Sequence, residues 1–175
     1  MVTHNKQNMN SVWILSFLFL FLNSGSTATS IYPNLNVEEL KPCSHDGMAL
    51  TGYTRNGYCV DQNDDSGSHH ICINLSSIAS SGQIFCAVTG QSNWCAGTDM
   101  PCHEDQSKFC AIENWCVCQW AFASYIAKAG GCAAIQDIRC DAIKMQAMRS
   151  HKEDNRYREA LDCLNVRCMN PESVE

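Results

Sequence analysis

Thirteen cysteines fall between positions 43 and 168 of this 175-residue chain. That density constrains the fold more than any other feature. Secreted domains staple themselves with disulfides, whereas most intracellular chains keep their thiols reduced. An odd count leaves one thiol free, paired with a second chain or holding a ligand, so a disulfide-linked dimer is one expectation. Connectivity cannot be read from spacing. Cys43, Cys59, Cys72, Cys86, Cys95, Cys102, Cys110, Cys116, Cys118, Cys132, Cys140, Cys163 and Cys168 are all disulfide candidates.

The N-terminus agrees with an oxidising destination. Residues 12–22 form an apolar run interrupted by one serine, and small polar residues follow up to Ala28. The run is shorter than the roughly 18 apolar residues of a membrane span, so residues 1–28 read as a cleaved signal peptide. A lead-in over 29–41, one cysteine-rich domain over 42–168 and a loose tail over 169–175 complete the expected organisation. No later stretch spans a membrane. Removing the leader takes Lys6 and leaves 11 basic against 18 acidic residues. Phosphate binding needs Lys and Arg, so nucleic acid is not an expected partner. Asn74-Leu75-Ser76 is an N-glycosylation sequon, which marks Asn74 as a glycosylation candidate in a secreted chain.

The expected fold class is α+β: a small single domain with short strands in the first half and helices in the second, stabilised by disulfides. Asn56-Gly57 signals a tight turn. The Asp61/Asn63/Asp65 alternation lacks the Gly and Glu that an EF-hand loop requires at its sixth and twelfth positions, and reads as a solvated acidic loop. Residues 69–75 and 83–88 read as strands. Residues 90–112 read as an irregular stapled loop. An alanine-rich helix is expected over 119–128 with a stop at Gly130-Gly131. A strand over 133–138, a helix from Asp141 to about His151 and a last helix over 154–166 follow.

Several short stretches resemble one family when taken in order. Residues 50–59, from Leu50-Thr51-Gly52-Tyr53 through Arg55-Asn56-Gly57-Tyr58-Cys59, resemble a marker stretch of domain-of-unknown-function family 2237, known mostly from bacteria. Upstream, Asn36-Val37 and Leu40-Lys41-Pro42-Cys43-Ser44 are similar to its opening. Downstream, Asp65-Ser66-Gly67-Ser68-His69-His70-Ile71-Cys72, Gly97-Thr98-Asp99-Met100 and Trp115-Cys116-Val117-Cys118 with Trp120 continue the likeness, over roughly 36–150. The chain departs from the pattern in three places. About ten extra residues lie between Cys72 and Gly97, Arg139-Cys140 stands where the family has Thr-His, and the last helix has no counterpart. The resemblance sorts the cysteines. Cys43, Cys59, Cys72, Cys116 and Cys118 sit on family stretches, and the other eight do not. It therefore implies up to four disulfides among the eight, with the odd thiol in the family set.

Chemistry concentrates on the shared residues. On a strand Cys116 and Cys118 face one way. With His69 and Cys72 they make a candidate set for zinc or another thiophilic metal. Thiol redox chemistry is the next reading, although no basic residue flanks the pair and Glu113 would oppose a thiolate. A nucleophilic pair of Cys59 or Cys116 with His69 is the third. His45, His70, His103 and His151 read as surface or supporting residues. Arg55 either clamps a carboxylate bidentately or pairs with Asp65 or Asp99. Arg55, Asp65, His69, Trp115 and Trp120 are the candidate binding residues. The expected function is a secreted cysteine-rich module that binds a protein or small-molecule ligand without catalysis and without a cofactor. The competing reading is a metal- or thiol-dependent enzyme, redox or hydrolytic, using Cys116, Cys118, His69 and Cys72.

Overall fold

Two short strands carry the centre of the structure, a computed structural model that describes residues 32–62, 64–97, 100–135 and 137–169. The expected leader, and the tail beyond Met169, lie outside the described residues. Strand β1 (Ile71–Asn74) pairs antiparallel with a strand at Asn114–Val117, with Cys72 opposite Cys116 and Ile73 opposite Trp115. The register buries Ile71, Cys72, Ile73 and all four residues of the second strand. The expected strand over 69–75 forms at its centre, but Cys72 is buried along with Ile71 and Ile73, so both faces of β1 are covered. Ile138 bridges to Ile73 on the other edge of β1, where Arg139 N–H donates to the Cys72 carbonyl.

Between the two central strands lie helix α1 (Phe85–Thr89) and a two-stranded pair, β2 (Met100–Pro101) with β3 (Phe109–Cys110). The strand at Asn114–Val117 is therefore β4. Residues 83–88, expected as a strand, depart from the pattern. Ile84 bridges to Ile78, and the chain then turns helical to put Phe85, Cys86 and Val88 into the core. Five residues are too few for a 3.6 period to be told from a 2.0 period. Residues 90–112 hold the 3₁₀ turn Asn93–Ala96 as well as β2 and β3.

Strand β4 runs through Cys118 into helix α2 (Gln119–Ala129). Ala121, Phe122, Tyr125 and Ile126 form its buried stripe, and Gly130, at φ 97°, closes it in the left-handed conformation that favours glycine. Phe122 and Ile126 are fully buried, each worth about 1.5–3 kcal/mol of apolar transfer. The segment expected as a strand over 133–138 forms instead a 3₁₀ turn, Cys132–Ala134, and keeps only the Ile138 bridge. Beta-branched residues are too sparse there to hold a strand against the Gly130-Gly131 break. Helices α3 (Gln146–Glu153) and α4 (Arg158–Leu164) follow, and the chain closes with a π-turn at Asn165–Met169. The architecture is α+β, with short antiparallel strands first and helices later. Among the described residues no helix is long and apolar enough to cross a membrane.

Six disulfides brace these elements. Cys43–Cys72 and Cys59–Cys116 fix the two halves of the β1–β4 ladder to the loop before it. Cys86–Cys95 and Cys102–Cys110 close short loops, while Cys132–Cys163 and Cys140–Cys168 tie α4 and its end to the segment after α2. No bond crosses between the five cysteines on family stretches and the other eight. Cys118 is left free and buried.

Candidate functional site

The site begins with the acidic turn before β1. The Asp65 carboxylate is buried and accepts three N–H bonds: Oδ1 from Gly67 N (3.0 Å) and from His69 Nδ1 (2.7 Å), Oδ2 from His69 N (2.8 Å). Burial alone would raise its pKa, but these bonds and the His69 ring hold it below the ordinary carboxylate range. The turn carries Ser68 at φ 49°, a strained value for a residue with a side chain. Asp65 thereby fixes the His69 ring and its tautomer, leaving Nε2 free of that bond.

Gly67 is needed for space. A Cβ there would lie 2.8 Å from His69 Cε1 and 2.9 Å from Cys118 Cβ. Its carbonyl also accepts the Gln119 N–H at 3.2 Å, satisfying one of the orphan donors at the start of α2. The missing side chain thus lets the His69 turn close onto the N-terminus of α2 and onto Cys118, the N-cap residue. Burial pushes the Cys118 thiol up to about 11 and the Asp65 charge adds to this. The N–H groups of Ala121 and of Cys118 itself pull the other way without prevailing. At that value roughly one thiol in ten thousand is ionised at neutral pH. Glu113 is not among the causes.

Two hollows meet at this point. One, of about 150 Å³, is walled by Phe85, Trp94, Trp115 and Trp120, with Cys118 and His69 also lining it. Trp94 and Trp115 pack at 5.7 Å between ring centroids, and Trp94 Nε1–H donates to Gln91 Oε1. The other, of about 230 Å³, is lined by Gly52, Tyr53, Arg55, His69, Trp115 and Cys116. Tyr53 stacks on His69 at 5.8 Å and 22°. The Arg55 guanidinium lies 4.9 Å from the centroid of Trp115, a cation–π contact. Its backbone sits at φ 52°, and Nη1 donates to the Gly52 carbonyl at 3.1 Å. The turn from Gly52 (φ 97°) to Gly57 positions both Tyr53 and Arg55; a Cβ at Gly52 would strike the Tyr58 carbonyl at 2.6 Å.

Of the residues singled out in sequence, Arg55, His69 and Trp115 share one hollow, Asp65 stands behind His69, and Trp120 borders the second hollow. The Arg55–Asp65 ion pair does not form, because Asp65 spends its oxygens on His69 and Gly67. Asp99 lies outside the described residues. The four-residue metal set is not assembled as drawn. Cys72 is bonded to Cys43 and Cys116 to Cys59, so only His69 and Cys118 keep donor atoms free. The Sγ atoms of Cys43, Cys59 and Cys116 come within 4.8 Å of one another where these two disulfides meet. Pairing also removes Cys59 and Cys116 as nucleophiles; the thiol near His69 is Cys118. Of the other histidines, His70 and His151 are buried, and His103 bonds the Ser44 hydroxyl. Tyr53, Gly67 and Trp94 were missed as site residues. Tyr53 and Gly67 lay inside quoted stretches, but nothing in their spacing pointed to His69; Trp94 lies in the segment that departs from the family.

A family model described as "Uncharacterized protein conserved in bacteria (DUF2237)" matches residues 33–152. No curated protein matches the chain.

Proposed function

Since the chain belongs to the DUF2237 family, whose description names no activity, its role rests on its own site, and we propose a non-catalytic binding module that takes a small ligand into the paired hollows around Trp115 and His69. The observation that carries this reading is the placement of Arg55, Tyr53 and His69 around one hollow, with two strained backbone positions and the buried Asp65 holding them there. Strain of this kind costs stability and concentrates where geometry serves a ligand. A mostly aromatic hollow with a few placed polar groups is the usual form of a small-molecule site.

A thiol-enzyme reading draws support from Cys118, which lies at a helix N-terminus beside an Asp–His pair. The thiol's pKa near 11 weighs against it, because the thiolate is the nucleophile. A zinc site on the same residues would have two free protein donors, short of the usual three or four. Export belongs to the proposal. Six disulfides suit an oxidising compartment, the leader supports secretion, and Asn74 would carry the glycan. N-terminal sequencing of the secreted protein and a glycosidase mobility shift lost in Asn74→Gln test that part.

The binding reading is tested by screening small molecules against the secreted protein for a rise in Tm, which follows from selective binding to the folded state. A hit should lose its effect in His69→Ala and keep it in Cys118→Ser. Turnover of a hit that disappears in Cys118→Ser would replace the binding module with an enzyme.

A further inference from the structure

We infer that the ligand is a small organic monocarboxylate with a flat apolar body, its carboxylate on Arg55 and its ring in the tryptophan-walled hollow. This rests on the reading of the paired hollows as a binding site and names what they would take.

The head group follows from Arg55. Its guanidinium presents five N–H donors. One of them reaches the Gly52 carbonyl, and the central carbon lies 4.9 Å from the centroid of the Trp115 ring. Among the described residues no carboxylate pairs with Arg55, whereas Arg139 and Arg156 each meet an aspartate. The nearby acids are occupied. Both oxygens of Asp65 are taken by His69 and Gly67, and Asp64 receives the Tyr53 hydroxyl. A forked donor on an exposed arginine, held over an indole, suits bidentate recognition of a carboxylate. In a chain of net charge −6, a hollow whose His69 and Tyr53 already face Asp65 and Asp64 favours a monoanion over a doubly charged phosphate.

The body follows from the other hollow. Phe85, Trp94, Trp115 and Trp120 supply its walls, Gln91 there is engaged by Trp94 and Thr89, and the Cys118 thiol stays protonated. His69, with Nε2 free, lines both hollows and can serve the head group, while the aromatic walls reward a flat apolar body. Its 150 Å³ is the size of a cavity known to accept one benzene ring. The hollows share Trp115, His69 and Cys116 in their linings, which places the two halves of the ligand side by side.

The test titrates the secreted full chain with phenylacetate, 2-phenylethanol, acetate and inorganic phosphate, following tryptophan fluorescence and calorimetry. Phenylacetate should bind at least tenfold more tightly than each of the others. Arg55→Gln should bring phenylacetate down to the level of 2-phenylethanol while 2-phenylethanol binding and the circular dichroism spectrum of the apo protein stay as in the wild type. Trp94→Ala should weaken both aryl compounds together. Equal binding of phenylacetate and 2-phenylethanol overturns the carboxylate assignment while the hollows remain a binding site. Tightest binding of phosphate overturns it in favour of a phosphorylated ligand. Tightest binding of acetate overturns the apolar body. Absence of binding by all four, in wild type and Arg55→Gln alike, overturns both the assignment and the binding reading.

Discussion

Single residues decide how the site is held. Gly67 is the clearest, because its neighbours are a fixed ring and a backbone-anchored Cβ rather than the end of a flexible chain. Gly67→Ala must push the His69 turn away from α2. We expect a loss of about 1–3 kcal/mol, the usual cost of forcing a group into packed space, measured by urea denaturation. Asp65→Asn keeps the shape but removes the charge. It should release His69 and lower the Cys118 pKa, since the Asp65 charge helps raise it. Iodoacetamide trapping across pH follows that change: Cys118 alkylation should set in at lower pH in the variant than in the wild type. Arg55, His69 and Trp115 were legible at this scale because they fell in stretches with a recognisable order. Tyr53 and Trp94 were not, because their roles are contacts with His69 and Trp115 across the fold, which no local spacing encodes.

At the scale of elements, the disulfides differ in what they constrain. Cys59–Cys116 spans 57 residues and Cys86–Cys95 spans 9. Chain-entropy estimates give about 4 kcal/mol for the first and about 2.5 kcal/mol for the second. The Cys59→Ala/Cys116→Ala pair should therefore lower the denaturation midpoint more than Cys86→Ala/Cys95→Ala. Equal losses would mean that packing around β4, not loop closure, sets the contribution. The elements themselves were unevenly legible. β1, α2 and the Gly130 stop follow from local composition, because an apolar run, an alanine-rich stretch and a glycine pair each leave one good option. α1 is five residues long, and its conformation is chosen by Phe85 meeting Tyr125 of α2 at 5.0 Å. That contact is 40 residues away in sequence and overrides the local β preference.

At the scale of the whole molecule, two buried histidines among the described residues, His70 and His151, oppose folding when protonated. Burial lowers the pKa of His70 most, Lys144 adds to this, and Asp61 and Asp65 resist it. Burial likewise lowers that of His151, which packs against Phe122 and Tyr157; the Ala147 carbonyl, accepting from its Nδ1 at 2.6 Å, and the Gln119 backbone resist, while His70 lowers it further. Both fold as neutral rings. Their contribution is intact above the ordinary histidine pKa of 6.5 and is lost as pH falls below it toward the folded-state values. Asp61, held at about 2 by bonds from Lys144 and His70 despite its burial, adds a second loss between 3.8 and about 2. Stability measured at pH 7.5 and pH 5 should show the first decline, and His151→Gln should flatten it. At this scale the cysteine content gave away more than any helix pattern did. The separation into five and eight cysteines anticipates that no bond crosses between the two sets and that the free thiol belongs to the five, while the partners within each set are fixed only by the fold.

The closeness of an unpaired sulfur to a bonded one, two residues apart in β4 and the start of α2, has a consequence for how long the covalent pattern lasts. An ionised thiol beside a disulfide shuffles it, at a rate set by the fraction ionised and by access. Cys118 is denied both by its position under the His69 turn. The turn is then a latch on the covalent pattern, and native pairing persists as long as it stays shut. Forcing it open with Gly67→Ala should let Cys118 exchange into the Cys59–Cys116 bond, seen as new Cys118-linked peptides in a non-reducing map, and Cys118→Ser in the same background should abolish them.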